Sequence, residues 1–240
     1  MNVIAVTQKG LNKTENEDRI IVGKTIIADG TLISDIENGI IAVADGVGGH
    51  NAGAIASHFV ADKLCHLQEI SVEQLKAIND ELIKISETTD GQQGMATTLS
   101  GICCTGSKPL LFSIGNTRIY SIQSRKYLKQ LTADDTTLNY LLATGRLAPE
   151  DAESFNRKNE IIACFGGGFA DLFKVKVNYI DQLVAPIMIT SDGIHDYLSV
   201  DQMEDIIEEY GLSKEGCIEM IQTARNNGSL DDASIIIGVI

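Results

Sequence analysis

Two apolar runs in this 240-residue chain end in a small residue followed by Asp-Gly. Gly39 to Ala44 leads into Asp45-Gly46, and Pro186 to Ser191 leads into Asp192-Gly193. A third acidic feature, Asp231-Asp232, directly precedes the last apolar run, Ala233 to Ile240. Strands of one sheet end side by side, so acids at strand mouths can converge although they are distant in sequence. Carboxylates held close raise one another's pKa unless a cation compensates, and an all-oxygen ligand set favours hard ions such as Mg2+ or Mn2+. A pair of such ions can share a carboxylate, polarise phosphoryl oxygens and activate a water, so the expected task is metal-assisted chemistry on phosphate. Asp45 is the expected shared ligand: the glycine after it lets the chain turn sharply and leaves the Gly46 carbonyl unobstructed as a further oxygen donor. Asp192 and Asp231 would complete one ion, and Asn16-Glu17-Asp18 would supply acids for the other or for its waters.

The elements that must position these acids are legible from pattern and punctuation. Asn2 to Thr7 reads as a strand, and Arg19 to Ala28 and Thr31 to Ile33 read as hairpin arms around Asp29-Gly30. That structural role leaves Asp29 out of the site. Helices are expected from about Asn51 to His66 and from Ser71, which has capping-box spacing to Gln74, to about Glu87. Ala96 to Thr105, Leu110 to Ile114 and Arg118 to Ile122 read as an antiparallel meander. From Thr132 to Gly168 polar, helix-prone stretches (Thr136 to Thr144, Pro149 to Asn156) and a glycine triplet suggest a mobile cover. Phe173 to Tyr179 and Pro186 to Ser191 return to strand, and helices follow over about Val200 to Tyr210 and Ser213 to Asn226, the first bracketed by Ser199/Gln202 and Gly211. Strand runs interrupted by helix pairs point to an α+β layered sandwich with sheets inside and helices outside.

Hydrophobic residues make up 44% of the chain and are spread from end to end, with only 3 Pro and no linker-like stretch, so one domain over 1–240 is expected. The formal charge of -14 opposes general binding to nucleic acid or to an anionic membrane. Cys65, Cys103, Cys104, Cys164 and Cys217 show no Cys-x-x-Cys and no zinc-finger spacing, which fits reduced thiols in a cytoplasmic protein. No apolar run reaches the roughly 18 to 20 residues of a membrane span.

In order and spacing, Asn-Glu-Asp (16–18), Ala-Asp-Gly-x-Gly-Gly-His (44–50), Ile-Gly-Asn-Thr-Arg (114–118), Leu-Thr-x-Asp-Asp (131–135), Ser-Asp-Gly (191–193) and Asp-Asp-x-Ser (231–234) resemble the bacterial branch of the metal-dependent type 2C serine/threonine protein phosphatases. The resemblance runs from Gly10 to the last strand and is most specific at Ala44 to His50 and Thr190 to Gly193. It implies a four-layer α-β-β-α sandwich of two antiparallel sheets, a pair of Mn2+ or Mg2+ ions, and hydrolysis of phosphoserine and phosphothreonine in proteins without a covalent enzyme intermediate. Metal and phosphate follow from the residues themselves; protein substrates, set against a serine/threonine kinase in signalling, follow from the resemblance alone. Carried over by position, Asp45 is the bridging ligand, the Gly46 carbonyl a second ligand, and Asp192 and Asp231 the ligands of the first ion. Glu17 and Asp18 match acids that bind or orient metal waters, and 132–168 matches a flap beside the site.

Four positions depart from the family pattern. Lys13 stands where an Arg usually grips substrate phosphate, keeping the charge without the bidentate fork. Asn116 replaces an Asp that ligates a third, weaker ion, so a third ion should bind poorly. Val47 stands where many eukaryotic relatives have a His thought to protonate the leaving oxygen; solvent or His50 could serve, with helix-entry packing the favoured role for His50. Asp232 stands where Asn is common and adds a charge beside Asp231. The remaining candidates read as structural: His58 and His66 as packing residues, His195 likewise, Thr97, Thr98 and Arg118 as sheet-holding residues, and Gly166 to Gly168 as flap flexibility. The rival to an enzyme is a catalytically weak or silent regulatory domain that binds phosphoproteins on the same scaffold.

Overall fold

A computed structural model describes residues 1–48, 52–67, 69–89, 93–105, 108–180 and 186–239; Gly49, His50, the expected helix start at Asn51 and the strand end at Ile240 lie outside the described residues. The chain begins with β1 (Asn2–Gln8), β2 (Asp18–Val22), β3 (Thr25–Ile27), β4 (Gly30–Asp35) and β5 (Ile40–Val47), followed by α1 (Ala52–Cys65) and α2 (Val72–Thr88). Next come β6 (Ala96–Thr97), β7 (Leu99–Cys103), β8 (Leu110–Ile114), β9 (Arg118–Gln123), β10 (Tyr127–Gln130) and α3 (Thr137–Ala143). The short pair β11 (Ala163–Cys164) and β12 (Gly167–Gly168), then β13 (Lys176–Tyr179), β14 (Ile187–Thr190), α4 (Asp192–His195), α5 (Val200–Tyr210), α6 (Lys214–Asn226) and β15 (Ala233–Val239) complete it.

Two antiparallel sheets result. One has the order β10-β9-β14-β15-β1-β4; the other has the order β13-β8-β7-β5-β2-β3, with β6 paired to β5. Alternate side chains of a strand face opposite sides, and here both sides are covered, so the strands are apolar runs rather than alternating ones. In β5, Ile41 and Val43 join the core between the sheets, whereas Ile40, Ala42 and Ala44 face α1 and α2. In β1, Val3 and Ala5 face the other sheet, and Ile4 and Val6 pack in the core under α5 and α6. Three apolar layers thus cement four layers of structure, the α-β-β-α sandwich expected from the sequence.

The capping boxes form as spaced: Ser71 Oγ accepts from Gln74 N at 3.1 Å, and Ser199 Oγ accepts from Gln202 N at 3.2 Å. Gly211, with φ of 68°, stops α5 at the expected place.

Several expectations are corrected. Asp29-Gly30 is not a hairpin turn. The tight hairpin is one step earlier, where Val22 pairs with Thr25 across Gly23-Lys24, and β4 leaves to pair with β1 in the other sheet. The meander holds only for β7 and β8; β9 crosses over to pair with β14 and β10. Edge and crossover partners depend on which sheet has a free neighbour, and local propensity does not encode that. Pro149 to Asn156 contributes only a 3-10 turn at Pro149–Asp151. The end of the 132–168 segment is no cover: Ile162 to Phe165 are buried, and Phe165 stacks edge-on against Phe173 at 5.5 Å. Gly166 is likewise a packing glycine rather than a flexible one. At φ of 74° it donates its N–H to buried Asn79, and a Cβ there would lie 2.2 Å from the Met95 carbonyl oxygen.

Candidate metal centre

The faces that the two sheets turn toward each other change character along their strands. Taking every second residue, β1 reads Val3, Ala5, Thr7; β2 backwards reads Val22, Ile20, Asp18; β5 reads Ile41, Val43, Asp45. β14 and the residue after it read Ile187, Ile189, Ser191, and β15 backwards reads Ile236, Ser234 and then Asp232. The apolar members form the inter-sheet core. The antiparallel registers gather the polar members at one end of the sandwich, Thr7 opposite Ser234 and Asp18 opposite Asp45. β5 therefore does not end before Asp45, as its sequence suggested, but carries Asp45 and Gly46 within its last residues. Like charges directly opposite one another destabilise a sheet, so the Asp18–Asp45 pair needs a compensating cation.

Main-chain bonds hold this end rigid. The Asp45 carbonyl accepts from Thr97 Oγ1 at 2.9 Å and from Thr98 N at 2.8 Å, leaving the Asp45 carboxyl for other work. The two threonines thus serve the Asp45 backbone as well as the sheet. Gly46 lies against Gly53 of α1, where a Cβ would meet the Gly53 carbonyl oxygen at 2.3 Å; only a glycine pair lets helix and strand approach so closely. Gly193 meets the Asp232 carbonyl in the same manner, at 1.9 Å from a built Cβ, which seats α4 and Asp192 against the Asp231-Asp232 segment.

The electrostatics follow from this crowding. Asp18 is fully buried; its Oδ2 accepts from Ser191 Oγ at 2.8 Å, while Oδ1 has no partner. Burial, together with the charges of Asp232 and Asp192, pushes Asp18 up to about 7. Burial and then the charges of Asp192, Asp18 and Asp231 push Asp45 well above the usual carboxylate range. Asp192 is raised by burial and by Asp231, and is drawn back by hydrogen bonds from Asn116 Nδ2 (3.0 Å) and from the Asp45 carboxyl. The structure thus brings Asp18, Asp45, Asp192 and Asp231 into one field of mutual repulsion.

Lys13 is not free to solvent. Its ammonium lies 2.6 Å from Asp231 Oδ1, 2.9 Å from Glu17 Oε2 and 3.2 Å from Asp232 Oδ2. Burial works against that charge, yet the hydrogen bonds it donates to Asp231 and Glu17 raise its pKa above the usual lysine value. Glu17 is held by its main chain: its carbonyl accepts from Gly46 N at 3.1 Å and from Ser57 Oγ of α1 at 2.5 Å.

Other candidates sort themselves by their partners. Asn116 is buried and uses its amide N–H toward Asp192, with Oδ1 unpartnered. His195 is buried with Nδ1 bonded to Thr190 Oγ1 at 2.8 Å, and burial holds its pKa well below the usual value, so it is a neutral core residue. His58 is exposed on α1, and His66 lies beyond its end with Nδ1 bonded to the Asp62 carbonyl at 2.7 Å. Arg118 reaches out of β9 to Asp134 at the root of the 132–168 segment. Sequence reasoning passed over Ser191, the hydroxyl that supports Asp18, although its place before Asp192 in Ser-Asp-Gly was a signal; it also passed over the hydrogen bond from Asn159 to Asp196 at 2.6 Å.

Among the described residues, no three acid, imidazole or thiol groups are already arranged so that they could hold a metal ion. They pair instead with one another, with Lys13 and with Asn116. The donor chemistry nonetheless fits a hard divalent cation: the set is all oxygen, one buried carboxylate oxygen lacks any partner, and burial with like charges drives three acids upward. A divalent ion reverses each of these costs.

A family model described as Protein phosphatase 2C matches residues 27–226. The chain is 27% identical over 251 aligned positions to the serine/threonine phosphatase stp of Listeria welshimeri, covering 96% of this chain and 92% of that protein. Its fold is similar to the crystal structure of the Mycobacterium tuberculosis serine/threonine phosphatase PstP/Ppp, with a TM-score of 0.78, 25% identity and coverage of 99% and 98% of the two chains. A solved catalytic domain of PstP in complex with 2 manganese ions matches at 26% identity and a TM-score of 0.72, with the same coverage.

Proposed function

Because this chain belongs to the protein phosphatase 2C family, we propose that it hydrolyses phosphoserine and phosphothreonine esters of proteins at the acid cluster where its two sheets end. The observation that carries this reading is the convergence of Asp18, Asp45, Asp192 and Asp231 from separate elements into one partly buried cluster, in which burial and like charges raise the pKa values of Asp18, Asp45 and Asp192.

Asp45, the Gly46 carbonyl, Asp192 and Asp231 are the residues that would hold a pair of Mn2+ or Mg2+ ions, with Glu17 and Asp18 binding or orienting waters. When bound, the ions supply Lewis acidity toward a phosphoryl oxygen and an activated water. The chain's own contributions are positional. Asn116 steadies the Asp192 carboxylate by a hydrogen bond from its Nδ2, and because its amide oxygen carries no charge it is a poor ligand for any third ion, which would bind weakly. Ser191 and Thr97 hold Asp18 and the Asp45 backbone in place. Lys13, at the edge of the cluster, carries the positive charge that steadies the phosphoryl oxygens not under attack.

The silent-domain reading draws on one observation, the commitment of Lys13 to three carboxylates. It is weakened by the cluster itself, since a domain without catalysis has no use for mutually repelling acids. Phosphate release from phosphothreonine peptides, compared with nucleotides and sugar phosphates in the presence of Mn2+, tests both. Hydrolysis of the peptides is expected; binding without turnover would support the silent domain, and preference for the small phosphates would place the substrate elsewhere. The finer parts of the reading are a single domain over 1–240, action opposite a serine/threonine kinase, a cytoplasmic setting, and no nucleic-acid or membrane partner. The charge of -14 supports the last of these. No helix among the described residues is long and apolar enough to cross a membrane.

A further inference from the structure

We propose that Asp232 is a positioning residue that clamps the Gly10–Glu17 loop and so sets where the Lys13 ammonium and the Glu17 carboxylate stand against Asp231. The proposal rests on the phosphatase reading for its kinetic consequences, though not for its geometry.

Asp232 is buried, with its side chain only 2% exposed. Its Oδ1 accepts from Gly10 N at 2.7 Å, its Oδ2 accepts from Glu17 N at 2.7 Å, and Lys13 Nζ lies 3.2 Å from the same Oδ2. One carboxylate therefore ties down both ends and the middle of a single loop. The start of the loop lies tight against the chain it is tied to: a Cβ on Gly10 would stand 2.4 Å from the Leu230 carbonyl oxygen. Further bonds stiffen it, from Lys13 N to the Gly10 carbonyl at 3.3 Å and from Lys9 Nζ to the Lys13 carbonyl at 2.7 Å. On its other side the Asp232 main chain packs on Gly193, so the clamp and the Asp192 turn form one block.

The chemistry of the clamp is selective. Both side-chain oxygens face N–H donors, and only a carboxylate can accept at both. An asparagine offers one carbonyl oxygen and one NH2, so one backbone N–H, with Lys13 beside it, would face a donor instead of an acceptor. In this chain the exchange to Asn should therefore loosen the loop rather than be neutral. Asp232 and Lys13 then act as a pair, the acid fixing the base close to Asp231.

Asp232→Asn, Lys13→Gln and the double variant, compared with the unmodified protein at saturating Mn2+, test this. The measurements are kcat and KM on a phosphothreonine peptide and amide hydrogen exchange across residues 9–17. We expect Asp232→Asn to raise KM about tenfold, the scale of one misplaced charge-assisted contact, and to change kcat by less than about threefold. Exchange at Gly10 and Glu17 should quicken. Because both residues act through one contact, the double variant should be no worse than the worse single variant. An unchanged KM, unchanged exchange at Gly10 and Glu17, or independent multiplicative effects of the two substitutions would each overturn the clamp. Should Asp232→Asn not fold, Asp232→Glu keeps both acceptors one methylene further out; a smaller rise in KM is expected, and none overturns the proposal. Exchange needs no turnover, so an unmodified protein that released no phosphate would defeat the phosphatase reading alone and leave the clamp to be decided by exchange.

Discussion

The acids where the sheets end and the acids at the root of the 132–168 segment lie on adjoining elements, yet they are neutralised in opposite ways. At the root each acid has its own cation. Arg118 Nε donates to both Asp134 oxygens at 3.1 and 3.0 Å and its Nη2 adds a bond at 2.7 Å, while Lys176 Nζ sits 2.6 Å from Asp135. Where the sheets end, one ammonium, Lys13, is shared by Glu17, Asp231 and Asp232. Among the described residues, no lysine or arginine lies within ion-pair distance of Asp18, Asp45 or Asp192. Matched pairs fasten one element to another. Unmatched acids cost stability and persist where something else, here a divalent ion, completes the charge.

The largest test of this contrast is Asp45→Asn. Losing the carboxylate proposed to be shared by the two ions should lower Mn2+-dependent phosphate release by about a thousandfold, the several kcal/mol expected of Lewis-acid assistance, while circular dichroism stays native. Full activity in that variant would refute the assignment.

A second test uses pH. Asp18 rises from 3.8 in the unfolded chain to about 7 in the fold, chiefly through burial, so the folded protein holds a proton that the unfolded chain has released between those values. Stability without divalent ions should be full below about pH 4 and fall as pH rises toward 7, by a few kcal/mol at most. Saturating Mn2+ should flatten the decline, because it favours the ionised acids. Urea titrations at several pH values, with chelator or with Mn2+, measure both slopes, and stability that rises with pH in chelator would contradict the unmatched cluster.

At pH 7, Mn2+ at a hundredfold excess over its dissociation constant should stabilise the protein by about 2.7 kcal/mol. Thermal melts check this, and no shift would mean that no ion binds the native state.

The smallest effect belongs to the matched region. Arg118→Ala should cost about 2 kcal/mol of stability through loss of the charged hydrogen bonds to Asp134, and should leave Mn2+ affinity within about threefold. Calorimetric titration showing lost Mn2+ binding in that variant would erase the distinction between the two regions.

Much of the architecture was readable from local chemistry. Ser71 with Gln74, Ser199 with Gln202, and Gly211 mark helix ends because caps and left-handed stops are satisfied within a few residues. The acids at 45, 192 and 231 stand out because each sits beside an apolar run at a change of composition. Asp29-Gly30 misled, since the same dipeptide serves a hairpin or a crossover between sheets, and the choice depends on β1 offering an edge to β4. Phe165 misled as well: it closes a short apolar run, Ile161 to Phe165, that was read together with the polar stretches before it and the glycines after it, and its burial depends on α2 and Phe173.

What the chain alone determined was an inventory: strands apolar on both faces, helices with capped ends, and acids at strand mouths, all set by short-range propensity and by period. What only the tertiary structure decided was which of those acids share a field and which have a cation of their own. Asp134 and Asp231 are alike in sequence, each half of an Asp-Asp pair. Antiparallel register sets Asp18 opposite Asp45, and the fold of the Gly10–Glu17 loop brings a single lysine to Asp231, whereas Arg118 is delivered to Asp134. Charge interactions fall with distance in space and are indifferent to distance along the chain, so their pairing appears only once the sheets are assembled.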